Sequence, residues 1–292
     1  MNIGLIDFDS KIPNLALMKL SAYHKKQGDN VYLNNFGKCD KIYVSCVFAK
    51  NKSQVLGLKS FYDCEVVIGG SGVDLDLKLP DEVEFIMPDY SIYPDCDYSL
   101  GFTSRGCNRN CYFCIVSKKE GCFKRNQHPK EFYDPKFNKI MFLDNNVLLD
   151  KDWFFSVMDF VKEHNLKYSW NQGLDIRLLD GRVALCLREN KFFEPLHFAW
   201  DHINLESVVL DKIGLLRDIG FKGHHDIQFF VYVDGDNEFE SGLHRCNVLK
   251  SLDVCPFVMF NTKNKRTDRI KRLQRWANRK WLFWSIDFEE YR

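Results

Sequence analysis

The stretch Gly101-Phe102-Thr103-Ser104-Arg105-Gly106-Cys107-Asn108-Arg109-Asn110-Cys111-Tyr112-Phe113-Cys114 decides how the rest of the chain is read. It sets Cys107, Cys111 and Cys114 with three and then two residues between them, in a polar loop that follows an apolar run. Thiolates are the usual protein ligands of iron–sulfur clusters, and three from one short loop can converge on three irons of a single cube. A Cys-x3-Cys-x2-Cys loop leaves the fourth iron open for a small ligand. Two other readings stay open at this point. The thiols could form a zinc site completed by His128 or Cys122, although structural zinc favours paired Cys-x2-Cys knuckles and one such spacing is present here. They could also be unconnected thiols, since free cysteine is a common buried residue.

With Phe113 directly before its third cysteine, the loop resembles the cluster loop of the radical S-adenosylmethionine (SAM) superfamily. The resemblance implies a 4Fe–4S cluster on Cys107, Cys111 and Cys114, whose open iron chelates the amino and carboxylate groups of SAM. It further implies an external one-electron donor and reductive cleavage of SAM to a 5′-deoxyadenosyl radical that takes hydrogen from an unidentified substrate. Modification of a nucleic-acid base by the same chemistry is a narrower alternative, and a zinc-stabilised binding module a non-enzymatic one.

From Tyr98 the sequence alternates strand-like and helix-like segments. Strands are expected over residues 98–103, 139–143, 168–170, 196–199, 227–233 and 257–260. Six such units match the partial (β/α)6 TIM-like barrel of the superfamily, in an α/β fold whose active site sits beyond the strand ends. The turns there are polar. The resemblance implies a SAM amino contact at Asp144-Asn145-Asn146, although an Asx turn would favour the same residues. Arg177 could clamp a SAM or substrate carboxylate, or simply pair with Asp175. Asp201 falls where family members contact the SAM ribose. The acidic turn at Asp234 departs from the glycine-rich form common in relatives, and a helix N-cap explains it equally well. Cys122, eight residues past Cys114, is a candidate catalytic or redox thiol.

Residues 1–78 read as a small flavodoxin- or Rossmann-like α/β layer, with strands near residues 3–6, 30–33, 41–48 and 64–70 and a helix over 13–26. The layer resembles the cobalamin-binding-type domain that precedes many radical SAM barrels. It lacks the Asp-x-His-x-x-Gly signature, so the shape is expected without cobalamin, with His24 a surface residue. Gly69-Gly70-Ser71-Gly72 lacks the pattern of a phosphate loop and reads as a tight turn. Residues 79–97, with Pro80, Pro88 and Pro94, read as a linker, in which Asp89-Tyr90 and Tyr93-Pro94 could form an arm across the barrel formed by residues 98–262.

The C-terminal segment, 263–292, carries nine Lys or Arg against the single acid Asp268 between Lys263 and Lys280. Ile270, Leu273, Trp276 and Ala277 fall at helical spacing, which predicts an amphipathic basic helix, and basic residues beside aromatics could hold a nucleic-acid backbone. Trp281-Leu282-Phe283-Trp284 reads as a closing strand or plug. Net charge is +1, which gives no global argument for a polyanionic partner or membrane. Eleven cysteines, an N-terminus without a basic leader and the lack of a long apolar run lead to the expectation of a cytoplasmic protein without a membrane span.

Overall fold

The computed structural model describes residues 1–261, 264 and 266–291. The chain begins with β1 (Asn2–Asp7), α1 (Leu15–Lys26), β2 (Asn30–Leu33), β3 (Lys41–Ser45), α2 (Lys52–Gly57) and β4 (Glu65–Gly69). These four strands form one parallel sheet in the order β2-β1-β3-β4. Asn14 starts α1 by accepting the Leu17 N–H at 3.2 Å, satisfying one of the orphan donors of the first turn. The turn after β4 is tight. Gly70 sits at φ +103, and a Cβ there would stand 2.3 Å from the Cys46 carbonyl oxygen, so glycine is required by the crossing of two backbones. His24 corrects the surface expectation. It is buried between Asp29 (2.8 Å) and the Tyr43 hydroxyl (3.1 Å), joining the end of α1 to the sheet.

Next come α3 (Asp81–Glu84), β5 (Ser99–Gly101), β6 (Ser104–Arg105), α4 (Val116–Lys119), β7 (Lys124–Arg125), β8 (Lys139–Phe142), α5 (Lys151–Glu163), β9 (Lys167–Trp170) and α6 (Gly181–Glu189). After them lie β10 (Leu196–Ala199), α7 (Glu206–Asp218), α8 (Gly223–Asp226), β11 (Ile227–Val233), α9 (Phe239–Ser251), β12 (Cys255–Phe260), α10 (Asp268–Asn278) and α11 (Lys280–Ser285). The pairs β5-β8-β9 and β10-β11-β12 are all parallel and follow chain order, and bridges Tyr168↔Phe192 and Leu174↔Phe198 link β9 and its following turn to the β10 region. The molecule is thus mixed α/β with parallel sheets. The expected first strand stops at Gly101. Thr103 and Ser104 turn aside to bond Asp144, and Ser104–Arg105 pairs antiparallel with Lys124–Arg125 to make the stem of the cysteine loop.

Side chains alternate across these strands and separate two faces. Ile140, Phe142, Tyr168, Phe198, Phe229, Val231 and Val258 join one large core with the covering helices. On the opposite face, Leu100, Met141 and Leu143 pack instead against Leu15 and Met18 of α1 and against Tyr90. The 79–97 segment packs against both the N-terminal layer and the start of β5. Tyr90 donates its hydroxyl to the Phe132 carbonyl (2.6 Å) and accepts the Leu100 N–H (3.1 Å), while Tyr93 donates to Asp7 (2.6 Å).

α10 buries the predicted stripe of Ile270, Leu273, Trp276 and Ala277 and lies along the edge of β12. There the Val258 N–H donates to Asn278 Oδ1 (2.6 Å) and its carbonyl accepts from Gln274 (3.1 Å), which closes an edge that would otherwise offer free pairing groups. Arg269 pairs with Glu240 at 2.6 Å and Arg272 donates to the Phe288 carbonyl at 3.0 Å, so part of the basic face is tied to the protein itself. Lys263 lies outside the described residues. Residues 281–284 are helical, which corrects the expected closing strand; a four-residue apolar run has no period to tell helix from strand. Among the described residues no helix is long and apolar enough to cross a membrane.

Candidate active site

The cysteine loop is held at its root by three consecutive side chains after β8. Asp144 accepts from the Thr103 N–H (3.0 Å), the Thr103 hydroxyl (2.6 Å), the Ser104 hydroxyl (2.5 Å) and the Ser104 N–H. Asn145 accepts the Gly106 N–H at 2.9 Å. Asn146 donates to Cys107 Sγ at 3.4 Å. These three residues therefore address the loop itself, which revises the expectation that all three face a SAM amino group. Both Asp144 oxygens are used within the protein. Asn146 differs, because its Oδ1 is buried and has no hydrogen-bond partner among the described residues. Burial raises the Asp144 carboxyl to about 6 against the opposing effect of its Ser104 and Thr103 hydrogen bonds.

Gly106 begins the loop at φ +81, and a Cβ there would lie 2.2 Å from the Cys122 carbonyl oxygen. Cys107 N–H donates to the Gly121 carbonyl at 3.1 Å, so entry and exit strands cross closely. Backbone N–H groups point at two sulfurs: Arg109 at Cys107 Sγ (3.3 Å) and Val116 at Cys114 Sγ (3.5 Å). Burial raises the Cys111 and Cys114 thiols, and Cys107 and Asp201 add charge that pushes both the same way. Cys122 is exposed in the turn that precedes β7. Among the described residues no three His, Cys, Asp or Glu side chains stand in a metal-chelating arrangement. The donor chemistry nonetheless suits an iron–sulfur cluster: three soft sulfurs on one loop, N–H donors at two of them, and an unmatched amide oxygen alongside.

Asp175 joins three segments around this loop. It receives Arg177 through Nε (2.6 Å) and Nη2 (3.0 Å), Arg109 through Nε (3.1 Å) and Asn146 through Nδ2 (3.4 Å). Burial works against its charge, but Arg177 and Arg109 outweigh burial and hold the carboxyl below its ordinary range. The pairing of Asp175 with Arg177 is thus the one the sequence left open. Asp175 caps a short turn over Ile176–Leu178 rather than continuing a strand. Asp201, at the end of β10, is raised to about 6 by burial, against the opposing charges of Arg245 and Arg177. Phe113 lies face to face with Tyr232 of β11, at 3.9 Å between ring centres and 20° between planes.

Some contributors carry no motif. Arg245 of α9 is fully buried and donates to the Trp200 carbonyl (2.6 Å) and the Tyr232 carbonyl (3.0 Å), fixing the ends of β10 and β11 beside Asp201. Arg105, in the loop stem, pairs with Glu84 of the arm (2.5 Å) and Glu120 (3.3 Å), while buried Lys19 of α1 reaches the Glu84 carbonyl and Gln127 (3.2 Å). Lys119 donates to Ser71 at 2.8 Å. The entry strand of the loop and α4 beyond it are therefore tied to the N-terminal layer and the arm. A buried ion network of this kind specifies position more than it adds stability. No protein-family model matches the chain, and no curated protein matches it.

Proposed function

We propose that this chain is a radical SAM enzyme, with the six parallel strands from β5 to β12 acting as a partial (β/α)6 barrel behind a cobalamin-type layer that holds no cobalamin motif. The observation that carries the reading is the loop of Cys107, Cys111 and Cys114, with N–H groups donated to Cys107 and Cys114 and the unpartnered Asn146 Oδ1 alongside. A 4Fe–4S cluster bound by these thiolates would leave one iron for SAM and supply the electron that cleaves it to methionine and a 5′-deoxyadenosyl radical.

The chain's own groups have distinct tasks in this reading. The donors from Arg109 and Asn146 at Cys107 and from Val116 at Cys114 would stabilise negative charge on these thiolates and so tune the potential of a bound cluster. Asn146 Oδ1, without a partner among the described residues, would accept from an ammonium group. Arg177, held by Asp175, presents positive charge near Cys111 and Asp201 and can meet a carboxylate. Asp201 offers a carboxylate acceptor for a ribose diol. Phe113 stacked on Tyr232 places apolar surface beside the cysteine loop, which would help to keep water from a reactive carbon centre. Asp144 and Asn145 are positioning residues for the loop.

Anaerobic reconstitution with iron and sulfide tests the metal assignment. The expected product is a brown protein with broad visible absorption and about four irons per chain. A variant with all three loop cysteines changed to alanine should stay colourless. Stoichiometric zinc uptake with no iron–sulfur absorption would overturn the assignment in favour of a zinc module.

A further inference from the structure

The sheet of the N-terminal layer is packed differently on its two faces. Ile42 and Val44 of β3 and Ile68 of β4 enter an apolar cluster with Val55 of α2. The alternate residues, Lys41, Tyr43 and Ser45 of β3 with Val67 and Gly69 of β4, point to the other side. There α1 covers β1 by packing Leu17 and Leu20 against Ile3 and Leu5. The β3–β4 half has no helix of its own on this side, because the chain between β4 and α3 forms neither helix nor strand. A cavity of about 630 Å³ occupies the gap, walled by that strand face, by α1 and by the start of the arm. Its far end is the stem of the cysteine loop, at Phe102, Arg105, Lys119 and Lys124. Among the described residues, none of the three loop cysteines lines it.

The lining differs from that of a poorly packed core. A close-packed layer would need large apolar side chains on β3, where Lys41, Tyr43 and Ser45 stand instead. Leu77 leans over the end of β4, 3.1 Å from where a Gly69 Cβ would lie, yet it is 48% exposed. Phe85 of the arm is 53% exposed. Both line the cavity, so apolar surface lies open on two of its walls. With Leu20, Val67, Leu79 and Val83, this surface is mostly aliphatic and suits a chain better than a stacked ring.

The stem end is positively charged. Lys19, Arg105, Lys119 and Lys124 meet two acids there, Glu84 and Glu120, while the remaining lining acids, Asp81 and Glu82, belong to α3. Arg105 is taken up by Glu84 and Glu120. Lys124 stands directly opposite Arg105 in the β6–β7 ladder, so the two side chains share a face. The Lys124 ammonium has no ion pair or hydrogen bond among the described residues, and the Tyr23 hydroxyl in the α1 wall has no hydrogen-bond partner among them either.

We propose that this cavity binds a small organic anion with an aliphatic body, its head group on Lys124 at the loop stem and its chain against Val67, Leu77 and Phe85. A phosphate monoester head matches the two cations in excess at the stem. Pockets of this volume enclose small organic molecules, with apolar walls for affinity and a few polar groups for orientation. The site is separate from the cysteines and does not depend on what they bind.

The full chain is titrated by calorimetry at low salt with decyl phosphate, decyltrimethylammonium and inorganic phosphate, each below micelle formation. Decyl phosphate should bind at least about tenfold more tightly than either the cation or inorganic phosphate. Lys124→Gln should weaken decyl phosphate by about tenfold and leave the cation unchanged. Val67→Trp, which fills the cavity from the sheet, should abolish binding. Phe85→Ser, at an exposed position, should weaken decyl phosphate severalfold and keeps the test valid if Val67→Trp does not fold. Failure of decyl phosphate to bind saturably overturns the proposal, as does equal affinity for the anion and the cation. So does inorganic phosphate binding as tightly as decyl phosphate, or an affinity for decyl phosphate that survives Lys124→Gln or Phe85→Ser unchanged.

Discussion

The two halves of the strand face that points away from the large core receive opposite treatment. On β5 and β8, Leu100, Met141 and Leu143 are sealed against Leu15 and Met18 of α1 and Tyr90 of the arm. On β11 and β12, equivalent alternation leaves Phe230 half-buried and Phe257 and Met259 exposed. The strands are built alike, parallel and helix-backed. What differs is where the N-terminal layer sits. It seals one half and holds the entry strand of the cysteine loop through Lys19, Glu84 and Arg105, and it leaves Phe257 and Met259 of the other half exposed. One half of the face is thus packed, and the other leaves Phe257 and Met259 exposed.

The largest effect that could break this contrast comes from the sealed half. Leu100→Ala removes a fully buried side chain shared by two layers and should cost about 3 kcal/mol, read as a lowered midpoint in urea denaturation. A loss below roughly 1 kcal/mol would show that the N-terminal layer does not pack there.

The acidic groups at the strand ends give a pH dependence of similar size. Asp144 and Asp201 both have folded carboxyls raised from 3.8 to about 6. Between those values the folded state holds protons that the unfolded state has released. Each group therefore makes stability fall as pH climbs from about 4 to about 6, by up to about 3 kcal/mol, and leaves it flat outside that window. Asp201→Asn should remove its share of the slope; an unchanged slope would mean that Asp201 is well solvated.

Gly106→Ala should cost about 2 kcal/mol, because the added Cβ meets the Cys122 carbonyl at a positive φ. The damage should be local, seen as faster alkylation of Cys107, Cys111 and Cys114 in the iron-free protein while global denaturation moves less than for Leu100→Ala. The smallest effect sharpens the comparison from the open side. Phe257→Ala should change stability by about 0.5 kcal/mol or less, since little packing is lost. A cost matching that of Leu100→Ala would mean the two halves are equally buried.

Much of this organisation was legible in the chain. The strands of β8, β10 and β11 follow from short β-branched and aromatic runs ended by polar turns, and the stripe of α10 follows from its spacing. The cysteine spacing marked the loop without any help from the fold. Less legible was what each polar residue holds. Asp144 bonds residues some 40 positions earlier, and Asp175 reaches Arg109 across 66, so local sequence could show a turn but not its partner. His24 looked like a surface residue because Asp29 and Tyr43 are brought to it by the sheet. Arg245 carries no motif at all. Its importance arises from burial, which depends on helices and strands far away in sequence.

The central claim is tested most directly by incubating the reconstituted protein anaerobically with SAM and dithionite and assaying 5′-deoxyadenosine. The account predicts product that accumulates with the wild-type chain and vanishes in Cys111→Ala. Absence of 5′-deoxyadenosine from a protein carrying its full complement of iron and sulfide, or equal amounts from Cys111→Ala, would contradict it.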